Sequence, residues 1–383
     1  MGSPMRIGFD VSQTGANKAG CGYVAFSMIQ HLARLDHDNH YILYSNFGSD
    51  FWDPDHKQTT FRVRQPNFER RFMDFSHSQA RAYWPNPPAD FEKQLGEPHI
   101  VHSNNYFCPR DLRTARLVYT LYDLVYVCHP EFTTEENRLV CFNGIFEASL
   151  RADMMIAISE YTKQHFLETF PHYPAERVRV LYPASRFALT NAIDNQNGQV
   201  KKLPPGAFWL SVGTLEPRKN LRRLLQAYAS LRREGLTTLP LAMAGGKGWL
   251  EEGLSEYITN LGIEKDVHLL GYVSDAQLCW LYRNCFAFVY PSLFEGFGMP
   301  VLEAMSLGAA VITANVTSLP EITGDAALAI DPLDQEALTA AMARLQADDT
   351  LHATLQQRAL TRSALFSWEK TAREVLEVYK LCA

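Results

Sequence analysis

The strongest constraint on how this chain folds is a rhythm. Short runs of β-branched and aliphatic residues alternate with longer stretches of helical period, and the series occurs twice. In the first half the runs are Arg6–Asp10, Tyr41–Tyr44, Ile100–His102, Leu117–Leu121, Met154–Ile158 and Arg179–Leu181. In the second they are Phe208–Val212, Leu239–Ala244, Val267–Leu270, Ala287–Tyr290, Ala310–Thr313 and Ala327–Ile330. Strands alternating with helices predict parallel sheets covered by helices on both faces. The chain has 383 residues, and single cores stop growing near roughly 250–300. Two six-strand series in a chain of this length predict two Rossmann-like α/β/α domains.

The boundaries are written in composition. The first domain is expected over 5–191, with Met5 as its natural start. Ala192–Pro205 is polar, carries Pro204–Pro205 and lacks apolar periodicity, so 192–206 reads as a linker and 207–366 as the second domain. In Ser367–Leu381 the residues Trp368, Ala372, Val375, Val378 and Tyr379 fall on one helical face, which predicts a terminal amphipathic helix over 367–383. Asp36–Arg64 and Arg70–Pro88 have no clear period, and the latter is aromatic and basic.

Composition excludes several classes of function. A net charge of −6 offers nothing to a nucleic-acid backbone. No apolar run approaches the ~18–20 residues of a membrane span, and no secretory signal is read. The seven cysteines are scattered, with no C-x-x-C pair, so neither a zinc site nor a disulfide framework is expected. A reducing cytoplasm is the expected compartment.

The chemistry concentrates in Tyr290–Met305, YPSLFEGFGMPVLEAM. A buried strand ends, a loop follows, and Pro300 is placed to open a helix. Gly296, Phe297 and Gly298 lie just before that helix, where backbone N–H groups and the helix dipole favour a phosphate. Glu295 and Glu303 flank the same helix start. Two carboxylates do not bind phosphate, but they accept hydrogen bonds from sugar hydroxyls. The complementary charge lies in Val212–Leu221, VGTLEPRKNL, where Arg218 and Lys219 project from a loop after a strand, with Asn220 as the expected N-cap of the next helix. That edge of an open α/β sheet is where ligands bind, and a guanidinium with an ammonium suits a diphosphate.

The E-x7-E stretch and the EPRKN loop resemble those of GT-B retaining glycosyltransferases of family 4, and the resemblance extends over nearly the whole chain. Gly20-Cys21-Gly22-Tyr23 stands at the family's N-terminal glycine loop, Ala157-Ile158-Ser159-Glu160 at its strand-end serine, and Leu319-Pro320-Glu321 at its late P-E motif. The resemblance implies two domains facing across a cleft, with the donor on the second, the acceptor on the first, and the terminal helix crossing back to the first. It implies that Glu303 binds the ribose and Glu295 the donor sugar. Backbone amides of Gly296, Phe297, Gly298, Met299, Val301 and Leu302 would contact sugar and phosphate. The base would pack by Tyr272, Gly245 and Gly246 would line the cleft, and Gly20 and Gly22 would close over the diphosphate. Two positions depart from the family. Thr214 follows the strand-end Gly213 where arginine is frequent, leaving Arg218 as the second cation. Tyr122-Asp123, carried over with Arg218, Lys219 and Glu295 as catalytic candidates, stands where many members have His-Asp; tyrosine does not titrate near neutrality, so either the leaving phosphate takes the acceptor's proton or catalysis is altered.

The expected reaction is transfer of a hexosyl group from a nucleotide-sugar donor, GDP- or UDP-linked, to a hydroxyl of a glycan or lipid-linked acceptor, with retention. Relatives with an EPRKN loop point toward GDP-mannose. No cofactor and no obligatory metal are expected. Asp36-His37-Asp38 and Asp53-Pro54-Asp55 match D-x-D, but neither ends a buried strand, so both read as turns. His102 ends a strand and reads either as a packed histidine or as an acceptor contact. The aromatic and basic segment Phe68–Trp84 reads either as a partly buried loop packing on its own domain or as a contact, through Arg70 and Arg71, for a lipid-linked acceptor or the inner face of a membrane. A nucleotide-sugar epimerase or hydrolase of the same fold, or a non-catalytic donor-binding protein, are the rival readings.

Overall fold

The computed structural model describes residues 3–16, 18–45, 59–62, 64–71, 83, 86–187, 198–246, 248 and 253–382. The chain forms two compact units. The first takes Met1–Val127, Glu135–Pro183 and Ser367–Ala383; the second takes Cys128–Thr134 and Ala184–Phe366.

The first unit is built on a seven-stranded sheet. Its strands are β1 (Arg6–Asp10), β2 (His40–Tyr44), β3 (Phe68–Arg70), β4 (Ile100–Ser103), β5 (Arg116–Leu121), β6 (Met154–Ala157) and β7 (Val178–Val180). They lie in the order β3-β2-β1-β4-β5-β6-β7, all parallel. The central strands are buried throughout, as parallel strands between helical layers must be, and this is why their sequences read as unbroken apolar runs. The exceptions are the two edges: β7 buries Val178 alone, and β3 buries Phe68 alone, stacked on Tyr41 with ring centroids 4.5 Å apart. Glu69 and Arg70 give β3 the charged character of a protected sheet edge, and sequence periodicity does not reveal it.

The second unit repeats the plan with β8 (Trp209–Val212), β9 (Leu241–Ala244), β10 (Val267–Gly271), β11 (Ala287–Tyr290), β12 (Ala310–Ala314) and β13 (Leu328–Ile330). The order is β10-β9-β8-β11-β12-β13, again parallel. In both sheets the order reverses beside the first strand, between β1 and β4 and between β8 and β11. Ligands of open α/β sheets bind in the crevice that such a reversal opens at the strand C-termini.

The helix Trp368–Cys382 belongs to the first unit. It buries Trp368, Thr371, Ala372, Val375, Val378 and Tyr379, with Trp368 stacked on His31 of the helix Gly20–Leu35. The passage between units comes earlier than the expected linker. The second unit begins at Ala184, because Ser185 and Ser306 share a hydrogen bond of 2.7 Å that ties this segment to the helix Met299–Ser306. Of the expected linker, 192–197 lie outside the described residues, while Val200 and Leu203 are buried in the second unit's core.

Candidate active site

At the reversal in the second sheet, the loops after β8 and β11 are stitched together. The Leu293 amide donates to the Arg218 carbonyl (2.8 Å), as does the Ser292 hydroxyl (3.1 Å). Asn220 adopts a left-handed backbone (φ 58°). Its side chain does not cap the helix Leu221–Arg233, contrary to expectation; its amide reaches the carbonyls of Pro291 (3.0 Å) and Pro332 (2.7 Å) instead. The loop after β8 also leans on its other neighbour. The Gly213 amide donates to Ala244, and the Gly245 amide to Gly271. A Cβ on Gly245 would lie 1.8 Å from the Gly213 carbonyl oxygen, so only glycine permits this approach.

These contacts gather four charges in a nearly dry pocket. Lys219 Nζ lies 2.7 Å from Glu295 Oε1 and donates to the Tyr290 hydroxyl at 2.5 Å. Arg218 reaches Glu295 Oε2 at 2.7 Å, Glu216 Oε1 at 2.5 Å and the Phe294 carbonyl at 2.7 Å. Glu295 Oε1 further accepts from the hydroxyls of Tyr290 (2.8 Å) and Ser292 (2.6 Å). Glu216, Lys219 and Glu295 are all buried. Burial alone would raise the Glu295 carboxyl, but Arg218 and Lys219 outweigh it and bring it down to about 2. Burial, then the Arg218 charge, lowers Lys219 against the pull of Glu295 and Glu216.

The helix Met299–Ser306 starts beside this cluster. Gly298 precedes it with φ 97°, and Pro300 occupies its second position. Glu303 is its fifth residue. Its buried carboxylate belongs to a second network: Arg186 Nε stands 3.0 Å from Oε1, and the Tyr282 hydroxyl donates to Oε2 at 3.3 Å. Tyr272, following the left-handed Gly271, is 73 % exposed. Thr214 and Gly246 are partly exposed in the loops beside Gly213 and Gly245.

Sequence reasoning named the two cations and both glutamates. It missed Glu216, Tyr290, Ser292, Tyr282 and Arg186. Glu216, Tyr290 and Ser292 stand inside the two motifs, so adjacency is their signal; Tyr282 and Arg186 carry none.

The first unit corrects several expectations. His102 is fully buried, with Nδ1 2.6 Å from the Tyr379 hydroxyl and Nε2 2.9 Å from the Thr120 hydroxyl. Burial pushes it down to about 3, so it is a neutral packed histidine and not an acceptor contact. Tyr122 is buried too. Its hydroxyl faces the carbonyls of Asn104 (3.0 Å) and Cys21 (3.3 Å), and burial raises it well above its ordinary range. It ties the glycine loop down. Asp123 Oδ1 accepts from the Tyr106 hydroxyl and the Val125 amide, both at 3.3 Å. Gly20 and Gly22 form the first turn of the helix Gly20–Leu35, and a Cβ on Gly22 would meet the Gln13 carbonyl oxygen at 2.0 Å.

Arg70 donates to the Phe61 carbonyl and Arg71 pairs with Glu69; both are exposed. Most of Phe68–Trp84 lies outside the described residues, as does Asp53-Pro54-Asp55. Asp36 takes the amides of Asp38 and Asn39 and the Tyr41 hydroxyl, which makes Asp36-His37-Asp38 a turn.

Known proteins extend this picture. The family described as Glycosyltransferase Family 4 matches residues 19–184, and that described as Glycosyl transferases group 1 matches 193–362. The chain is 34% identical over 286 residues to O-antigen chain mannosyltransferase B of Escherichia coli, covering 74% of each. It is also 34% identical over 235 residues to the serotype-specific mannosyltransferase WbdA of Escherichia coli, there covering 59% of this chain but 28% of the relative. Among solved structures it resembles sucrose-phosphate synthase from Thermosynechococcus elongatus (TM-score 0.76, 18% identity, 99% and 98% covered). It also resembles Anabaena Alr3699/HepE in complex with UDP and glucose (TM-score 0.71, 19% identity, 98% and 99% covered). With its two halves matching the two parts of one enzyme family and a relative at 34% identity spanned over 74% of its length, this chain belongs to family 4 of the GT-B glycosyltransferases.

Proposed function

We propose that this glycosyltransferase moves a mannosyl group from GDP-mannose to a hydroxyl of a growing, lipid-linked polysaccharide, with retention and without a metal. The observation that carries the reading is the pair Arg218 and Lys219, clamped on Glu295 at the strand reversal of the second sheet. The Escherichia coli relatives supply the mannose.

In this reading the diphosphate lies against the two cations and the N-terminus of the helix Met299–Ser306, whose dipole favours an anion. Glu303 accepts from the ribose hydroxyls, and Tyr272 offers its ring to the base. As the glycosidic bond breaks, charge grows on the diphosphate, and fixed cations stabilise that charge without reorganising. They supply the compensation that a divalent ion would otherwise bring. Glu295 already receives Lys219, Arg218, Tyr290 and Ser292. A carboxylate has about four lone-pair sites, so Glu295 acts by orienting the cations and is poorly placed to be a covalent nucleophile. Without such a nucleophile, the acceptor hydroxyl attacks the face the diphosphate leaves, and a diphosphate oxygen takes its proton. Contact with a lipid-linked acceptor is read as peripheral, with Arg70 and Arg71 as its cations; no helix among the described residues is long and apolar enough to cross a membrane.

The test is calorimetric titration with GDP, UDP, ADP and dTDP, with and without magnesium, followed by NMR of the product's anomeric configuration. GDP preferred without metal, and an α-mannoside formed, are expected. Preference for UDP overturns the donor, and binding of no nucleotide overturns the site. Donor consumed without acceptor points to a hydrolase.

A further inference from the structure

Glu303 is the residue whose situation the motif does not explain. It sits in the interior, where an isolated carboxylate is costly, and the group facing it comes from the segment by which the chain enters the second unit. Arg186 Nε stands 3.0 Å from Glu303 Oε1, and its Nη1 lies 3.7 Å from Asp275 Oδ1. The guanidinium also lies over the Phe187 ring, 4.9 Å from its centroid, and its side chain is 15% exposed. The adjacent Ser185 is hydrogen-bonded to Ser306, at the far end of Glu303's helix. The segment Ser185–Arg186 therefore meets that helix at two points, with the Tyr282 hydroxyl on the carboxylate's other oxygen.

We propose that Arg186 is a positioning residue for the nucleotide, holding the Glu303 carboxylate ionised and turned so that one lone pair on each oxygen is left for the two ribose hydroxyls. Arg186 faces Oε1 as an ion pair, and Tyr282 donates a hydrogen bond to Oε2. Each oxygen has about two acceptor directions, so a vicinal diol matches what remains. The inference rests on the reading of Glu303 as the ribose acceptor. Among the described residues, the charged and titratable groups facing Glu303 are Arg186, Tyr282 and Asp275. Burial raises the Glu303 carboxyl, Arg186 and then Tyr282 pull it down, and Asp275 adds slightly to the rise. Removing Arg186 leaves burial unopposed, so the carboxyl takes up its proton at higher pH and no longer accepts from both hydroxyls.

The test uses the full chain and whichever of GDP and UDP binds more tightly, together with its 2′,3′-dideoxy form, titrated from pH 8 to pH 6. Arg186→Met is expected to bind the ribonucleotide roughly tenfold more weakly at pH 8, the scale of a lost hydrogen bond to a charged group. Its affinity should then fall with acidification at higher pH than the wild type's, by up to about tenfold per pH unit. The nucleotide's own phosphate ionisation is common to both proteins. The dideoxy form should be nearly indifferent to the substitution. Arg186→Lys, which keeps the charge and loses the fork, should restore the wild-type pH profile; it also serves if Arg186→Met melts early. An unchanged pH profile in Arg186→Met, or equal losses for the ribo and dideoxy nucleotides, overturns the proposal. Glu303→Gln separates the two levels: if it leaves affinity intact, the ribose assignment fails, and if it weakens binding while Arg186→Met does not, only the role of Arg186 fails.

Discussion

At the scale of single residues, the site is an exercise in buried charge. Glu216 and Glu295 face Arg218 and Lys219, so the cluster is formally neutral before a ligand arrives. Breaking such a set by removing one member leaves an uncompensated charge, at a cost of about 3–5 kcal/mol. Glu295→Gln is therefore expected to lower the stability of the second unit and to cut turnover, since both cations lose their anchor. Nucleoside diphosphate affinity should change less, within about tenfold, because the phosphate can still recruit them. Melting curves, steady-state rates and titration separate the three effects, and turnover equal to wild type would contradict the orienting role. The pH dependence has a definite sign. Glu295 falls from an ordinary value of 4.5 to about 2, so its contribution is present above the unfolded value and is lost as pH drops through that interval. By linkage it is on the order of 3 kcal/mol. Wild-type stability should fall between pH 4.5 and 2 more steeply than that of Glu295→Gln.

At the scale of elements, glycines separate what the backbone needs from what a ligand needs. Gly298 takes φ 97° just before the helix Met299–Ser306, and a Cβ there would lie 2.7 Å from Leu319 Cδ2. Leu319 can give way, but the left-handed backbone still costs an L-residue about 1–2 kcal/mol. Gly20 opens its helix with nothing within 4 Å of a would-be Cβ. In urea titrations Gly298→Ala should lose about 1–2 kcal/mol, whereas Gly20→Ala should be neutral or slightly stabilising. If Gly20→Ala loses activity at full stability, the space at Gly20 belongs to the substrate. Equal stability losses in both would refute the distinction. The same scale shows how far sequence carries. Strands such as Met154–Ala157, buried on both faces, announce themselves as apolar runs. The edge strand Phe68–Arg70 does not, because charge on an edge erases the pattern. The EPRKN and E-x7-E stretches mark where the chemistry lies. What holds them, Tyr290 against Lys219 or Arg186 against Glu303, depends on which loops the strand order brings together, and local sequence does not encode that.

At the scale of the whole molecule, the chain's order and the units' composition disagree in one place, and the disagreement is testable. The last helix follows the second unit in sequence but completes the core of the first. Trp368, Val375, Val378 and Tyr379 are buried there, and each large apolar side chain contributes roughly 1.5–3 kcal/mol. That sum is comparable to the stability of an entire domain, about 5–15 kcal/mol. Tyr379 also supplies the partner of His102 Nδ1, so its loss would strand a polar atom in the sheet interior. The second unit's core clusters contain no residue of this helix. A chain ending at Phe366 is therefore expected to lose the first unit's folding transition in calorimetry and to be digested through residues 5–183 by a low dose of protease. Its second unit should still melt cooperatively and be stabilised by the nucleoside diphosphate, because Arg218, Lys219, Glu295, Arg186 and Glu303 all lie within that unit. If the truncated chain melts as the full one does, the terminal helix is not part of the first unit's stability. If nucleotide no longer raises the surviving transition, the donor site needs more than the second unit holds.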